Sequence, residues 1–357
     1  MDPEALLSLA EYLRARSKYS EAVVTLKKAL KSFSIAGNNE GGLLSSLSIA
    51  DNLRMLGKFR NAIRYYHIAF EISKEMRDRK SQADSITGTG LSLRAMGLWK
   101  ESLKNFRSSL EIYESTDDIE GIAFVLWAVG GALRVKGDIN SAIDYFRKAG
   151  DLYRRLRDIQ GEGYCYCALG GAHRVAGHYK MSHSYYNKAN IIFVKLRDKF
   201  GTAYSFCGTG NSLRMMGQFT EAKSYFRSAL RIYRRIGDIV SSAYTLWSMG
   251  MLYIMESRYL MADRYLNTAL HYFKKTGDVR GKSYYLIARS QKEFLTGNIN
   301  ESRKMLNSAV HITHKWGFSI EKCHALLLLS ILDQKDVKCY KEIGMHHKFK
   351  SLPCNIP

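Results

Sequence analysis

Five arginines, Arg54, Arg94, Arg134, Arg174 and Arg214, recur at a spacing of forty residues, and Arg14 extends the column toward the N-terminus. A guanidinium stays protonated and presents its donors as a planar fork that matches a carboxylate or a phosphate in bidentate geometry. Like charges held side by side repel, so a column of them needs anions. The anions come either from the chain itself, with Asp51 and the aspartates of the inter-repeat turns as candidates, or from a bound carboxylate or phosphate. The column ends at Ile254 and Phe294, which places the charged stretch in the first six copies of the spacing.

Around the arginines the residue types are those of a recognition surface. Phe124, Trp127, Gly131 and Arg134 share one stripe at helical spacing. Its equivalents are Asp84, Thr87, Leu91 and Arg94; Tyr164, Cys167, Gly171 and Arg174; Tyr204, Cys207, Asn211 and Arg214; and Tyr244, Trp247 and Met251. Tyrosine and tryptophan supply rigid amphipathic area. Arginines with aromatics on one stripe predict capture of an acidic peptide segment, extended or helical, of a partner protein. Arg54, Arg94, Arg134, Arg174, Arg214, Trp127, Tyr164, Tyr204, Asn211, Tyr244 and Trp247 are the candidate partner-binding residues. The bland counterpart is that the arginines pair within the solenoid and the aromatics pack between repeats. The net charge of +21 fits any anionic partner. RNA is therefore an alternative ligand, since arginine and tyrosine together hold phosphates and stack bases. A third reading is an accessory subunit that positions an enzyme.

The elements that carry these residues follow from the period. Gly57, Gly97, Gly137, Gly177, Gly217 and Gly297 keep the forty-residue step, with Ser257 in the missing slot. Small residues form two further columns, one from Ala22 to Ser302 and one from Ala29 to Ala309. A column of aspartates runs from Asp78 to Asp278, each followed three residues on by Gly or Ser. In the fourth copy Leu126, Val129, Gly130 and Leu133 mark one helical face, and Gly137 ends that helix. A second helix starts near Ile139 and buries Ala142, Phe146, Ala149 and Leu152. Glycine weakens a helix by about 1 kcal/mol relative to alanine. A slot filled by Ala50, Gly90, Gly130, Gly170, Gly210 and Gly250 therefore predicts a close approach of helices.

Gly130, Gly137, Ala142, Phe146 and Ala149, with apolar Leu126 and Leu133, resemble the tetratricopeptide pattern, and the likeness recurs over roughly residues 3 to 320. The forty-residue unit is similar to the long variant of Pins-type adaptors, kinesin light chains and bacterial peptide-sensing regulators. The family's first-helix aromatic and its terminal proline are mostly absent. The resemblance implies an all-α, right-handed α-solenoid of about eight helix-turn-helix repeats plus a C-terminal helix, with the first helices lining a concave groove. The expected organisation is a solenoid over 1–320, a ninth, capping helix over 321–334 and a degenerate tail over 335–357.

Composition bounds the remaining classes. The only prolines are Pro3, Pro353 and Pro357, so nothing breaks a helix in between. No stretch approaches the ~18 apolar residues of a membrane span, and no signal segment opens the chain; a cytoplasmic protein is expected. P-loop and paired-histidine metalloprotease motifs are missing, and Gly88-Thr89-Gly90 and Gly208-Thr209-Gly210 fall in helix-packing slots, not phosphate loops. The reading is non-enzymatic, with no cofactor and no metal. Six cysteines are expected to remain reduced thiols; Cys323, Cys339 and Cys354, with His346 and His347, are too irregularly spaced for a metal site. The ninth helix is apolar nearly all round from Ala325 to Leu332. Either the tail folds back over it or a second chain covers it by self-association.

Overall fold

The computed structural model describes residues 2–333, 339–343, 345 and 351–357. Their regular structure is helical throughout. The first half of the chain forms α1 (Pro3–Ala15), α2 (Tyr19–Ile35), α3 (Asn39–Met55), α4 (Phe59–Glu75), α5 (Arg79–Ala95), α6 (Trp99–Ser115), α7 (Ile119–Lys136) and α8 (Ile139–Arg155). There follow α9 (Ile159–Ala176), α10 (Tyr179–Lys195), α11 (Lys199–Met215), α12 (Phe219–Ile236), α13 (Ile239–Met255) and α14 (Tyr259–Thr276). The series closes with α15 (Val279–Leu295), α16 (Ile299–Trp316), α17 (Ser319–Asp333) and the short α18 (Cys339–Glu342). The helices α1 to α16 are eight pairs in register with the sequence period, and α17 is a ninth first helix.

By internal contacts the chain falls into two compact units, Met1–Val129 with Arg234–Ile239, and Gly130–Tyr233 with Val240–Pro357. In the first unit α1 to α6 pack in sequence, and first helices also touch, α1 on α3 and α3 on α5. Leu26, Ile49, Ala50, Leu53, Ala62 and Tyr66 belong to one buried cluster of this unit. In the second unit α8 to α11 pack in sequence, as do α14 to α17, with α9 on α11 and α15 on α17.

The aspartate column is explained by capping. Asp78, Asp118, Asp158, Asp198 and Asp278 each accept the main-chain amide three residues on, at 3.1, 2.8, 2.9, 2.9 and 2.7 Å. Such a cap contributes about 1 kcal/mol. At Gly121, Gly161, Gly201 and Gly281 the donor has no side chain because the preceding second helix lays the ring of Tyr113, Tyr153, Phe193 or Phe273 on it, whereas at Ser81 the equivalent position is Ser73. A β-carbon on Gly201 would sit 2.4 Å from the Phe193 ring. The slot at Gly130 is equally tight: a β-carbon would meet the Phe146 ring at 2.7 Å and the Ala142 carbonyl at 3.1 Å.

In the fourth copy both helices start and stop where the spacing predicts, and Gly137 adopts φ 102°. The buried face is broader than one stripe. Leu126, Leu133 and Leu152 are half-buried, whereas Ala123, Val125, Ala128, Ala132 and Tyr153 carry the core. The reason is visible at α9, which touches α8, α10 and α11. A first helix has neighbours on several sides.

The chain's own tail packs against the apolar ninth helix through α18 and joins the buried cluster to which that helix belongs. Leu328 and Ala325 share a buried cluster with Cys354 and Ile356, and Leu352 packs against the same cluster. Cys323 of α17 and Cys339 of α18 form a disulfide with alpha carbons 5.6 Å apart. This corrects the expectation of six free thiols. Irregular spacing carried no information about a fold-back that brings the two residues together. Among the described residues, no helix is long and apolar enough to cross a membrane and no histidine, cysteine and carboxylate cluster could hold a metal; His346 and His347 lie outside the described residues.

Candidate functional site

The arginine column divides into two kinds of environment. In the first unit Arg54 is paired internally. Its guanidinium lies 3.4 Å from Asp51 and 3.4 Å from the Tyr66 hydroxyl, which donates to Asp51 at 2.6 Å. Burial opposes its charge, but Tyr66 and Asp51 outweigh it and hold the Arg54 pKa above the ordinary value. Arg94 reaches the next first helix, where it donates to the Ala128 carbonyl at 3.2 Å and stacks 5.3 Å from the centre of the Trp127 ring. Trp127 in turn stacks on half-exposed Phe124 at 5.9 Å.

In the second unit Arg134, Arg174 and Arg214 form no ion pair with any described carboxylate, and the Nε of each is buried without a hydrogen-bond partner. Arg134 lies against Gly171 of the following first helix, where a β-carbon would be 2.3 Å from its terminal nitrogen. Arg214 is fully buried. It stacks 5.7 Å from the Trp247 ring centre, and its guanidinium donates to Asn211 Oδ1 at 3.3 Å. Burial, then repulsion from Arg174, pushes the Arg214 pKa down to about 9. These cations are under-compensated by the chain itself.

The aromatic candidates are mostly engaged in holding repeats together. Tyr164 donates to Asp198 and Tyr244 to Asp278, each at 2.7 Å, so they reinforce the carboxylates that cap α11 and α15. Tyr204 stacks on Phe200 at 6.0 Å. Trp247 is buried and donates to the Tyr284 carbonyl at 2.9 Å. Asn211 donates to the Cys207 carbonyl at 3.1 Å, which orients its oxygen toward Arg214.

Sequence reasoning missed what lies on Arg214. The segment Ser351–Pro357 runs across the first helices of the second unit. Arg214 donates to the Asn355 side-chain oxygen and, at 2.9 Å, to the Ile356 carbonyl; the Asn355 amide returns a bond to the Arg214 carbonyl at 2.7 Å. Gln291 of α15 clasps Cys354, donating to its carbonyl at 3.2 Å and accepting its amide at 2.6 Å. Gln291 stands eighty residues after Asn211 in the same repeat position, a signal that the period could have supplied. Ile254, where the arginine column stops, shares a buried cluster with Ile356.

Comparison with known proteins agrees with this geometry at the level of the fold. The tetratricopeptide repeat family profile matches residues 202–236. A Rap protein complexed with competence and sporulation factor is 14% identical, with TM-score 0.62 over 95% of this chain and 99% of that one. The repeats here are tetratricopeptide-like. Two further solved structures share this tetratricopeptide-like architecture. The Rap conjugation regulator of plasmid pLS20, in complex with its Phr peptide, is 16% identical with TM-score 0.66, covering 88% of this chain and 96% of that one. NprR with its cognate peptide NprX is 14% identical with TM-score 0.61, covering 90% and 98%. No curated protein sequence matches the chain.

Proposed function

We propose that this chain is a non-enzymatic interaction scaffold that binds an extended acidic segment of a partner protein on the first helices of its second unit. The observation that carries the reading is the set of Arg134, Arg174 and Arg214, three buried or half-buried guanidiniums with no carboxylate of their own. A buried charge without a counter-ion is costly, and an incoming carboxylate removes that cost at several residues together. Asn211 and Trp247 fix the Arg214 guanidinium, while Tyr164, Tyr204 and Tyr244 border the same helices. Arg54, Arg94 and Trp127 act within the first unit, because their partners are internal. Structurally similar Rap and NprR proteins were solved with peptides bound, which supports a peptide as the ligand class.

The test is a titration of a labelled short peptide rich in Asp and Glu into the parent chain and into Arg134→Glu/Arg174→Glu. Binding lost on charge reversal, in a chain whose helical circular dichroism is unchanged, supports the reading. Equal affinity for both chains returns the arginines to a structural role. A single-stranded RNA probe that binds more tightly, with a steep loss of affinity as salt rises, would replace the peptide with nucleic acid.

A further inference from the structure

The contacts on Ser351–Pro357 are those of a receptor reading a main chain. Gln291 takes both the amide and the carbonyl of Cys354, Arg214 takes the carbonyl of Ile356, and the Asn355 carboxamide is read at both its oxygen and its nitrogen. Ile356 is fully buried and Cys354 nearly so. Main-chain bonds supply affinity for an extended peptide, and side-chain pockets supply selectivity.

We propose that this face is the receptor for the partner's extended segment and that Ser351–Pro357 occupies it in cis as a template of that segment. The partner then carries an asparagine followed by an aliphatic residue in its neutral part, and it binds by displacing residues 351–357. This rests on the peptide-binding reading above and adds the register and the gate. Two features make the cis segment replaceable. Ordering seven residues costs conformational entropy comparable to what a few hydrogen bonds and two buried side chains return. The segment also contains no acidic residue, so it leaves Arg134 and Arg174 without an anion. A partner that matches the asparagine and aliphatic contacts and adds carboxylates over those arginines makes ion pairs that the cis segment cannot.

Occupation in cis lowers apparent affinity by the fraction of molecules whose face is open. The probe is the labelled heptapeptide Ser-Leu-Pro-Ser-Asn-Ile-Pro, amidated at its end, titrated into the full chain and into two full-length variants. Ile356→Asp opens the face by refusing to bury a charge, and Asn355→Ala does so more gently by deleting the two Asn355 side-chain bonds to Arg214 while leaving the Arg214 bond to the Ile356 carbonyl. The expected result is tenfold or greater tightening in Ile356→Asp, a smaller gain in Asn355→Ala, and loss of both gains when Gln291→Met is added. Should Ile356→Asp lose helical circular dichroism, Asn355→Ala carries the comparison. Equal affinity of the heptapeptide for parent and opened chains, absence of binding to all of them, or indifference to Gln291→Met overturns the inference. If the acidic peptide still binds in an arginine-dependent way under those outcomes, the scaffold reading stands and only the cis gate falls.

Discussion

Gln291 holds Cys354 by both of its main-chain groups, with its amide nitrogen 3.2 Å from the carbonyl and its oxygen 2.6 Å from the amide. The same repeat position two copies earlier is Asn211, which points its oxygen at Arg214. One column of the repeat therefore contributes a carboxamide that holds Cys354 directly and another that acts through Arg214, and the apolar Met251 stands between them in register.

Gln291→Met keeps the volume of this side chain and deletes both bonds. The expected outcome is a tenfold or greater rise in hydrogen exchange at the Cys354 amide, because each bond contributes about 0.5–1.5 kcal/mol net. Exchange rates measured on full-length chains check it. Unchanged protection would mean that Cys354 is held by burial alone.

Arg280 and Glu321 join α15 to α17 through a buried ion pair of 2.7 Å. Glu321 is fully buried, and its carboxylate outweighs the desolvation of Arg280, holding that pKa above the ordinary value. Glu321→Ala leaves the buried Arg280 guanidinium without its ion-pair partner and is expected to cost about 3–5 kcal/mol in urea denaturation. Adding Arg280→Met should recover most of that loss, since the penalty lies in the unpaired charge. A double variant as unstable as the single one would show that Arg280 contributes mainly by packing.

Gly201→Ala drives a methyl group into the Phe193 ring, which itself is fully buried. Overpacking of this kind costs about 1–3 kcal/mol. Gly217→Ala is the contrast: nothing lies within 4 Å of its added carbon, but its φ of +81° is left-handed, so the expected cost is about 1–2 kcal/mol from backbone conformation alone. Restoring space with Phe193→Leu should rescue the first variant and leave the second unchanged.

The parts legible in the sequence are those the period repeats. Asp198, Gly201 and Phe193 recur as types because most junctions use a cap, a small donor and a ring, so their columns disclose the helices. The arginines recurred too, but their spacing could not tell Arg54, which has Asp51 one turn away, from Arg134, which has Gly131 one turn away and Gly171 of the next first helix against its guanidinium. Pairing across a fold-back was invisible for a different reason. Segment 351–357 lies outside the repeat, and its contacts with Arg214 and Gln291 join residues that no local pattern relates. The same holds for Cys323 and Cys339.

His173 offers a test of burial in the second unit through pH. It lies buried on α9, with its ring nitrogen 3.4 Å from that of His178. Burial first, then the His178 and Arg147 charges, push its pKa down from 6.5 to about 4. Between those values the unfolded chain binds a proton that the folded chain refuses, so stability is complete above about pH 6.5 and is lost as pH falls toward 4. Urea midpoints measured across that window should fall less steeply for His173→Gln than for the parent, with the two curves differing least near neutral pH. His178, whose ring nitrogen lies 3.4 Å from that of His173, is coupled to it, so the same comparison is made in a His178→Gln background to isolate His173. Parallel curves would mean that His173 takes up its proton in the folded state at its ordinary pKa, and that the α9 face around it is open to water.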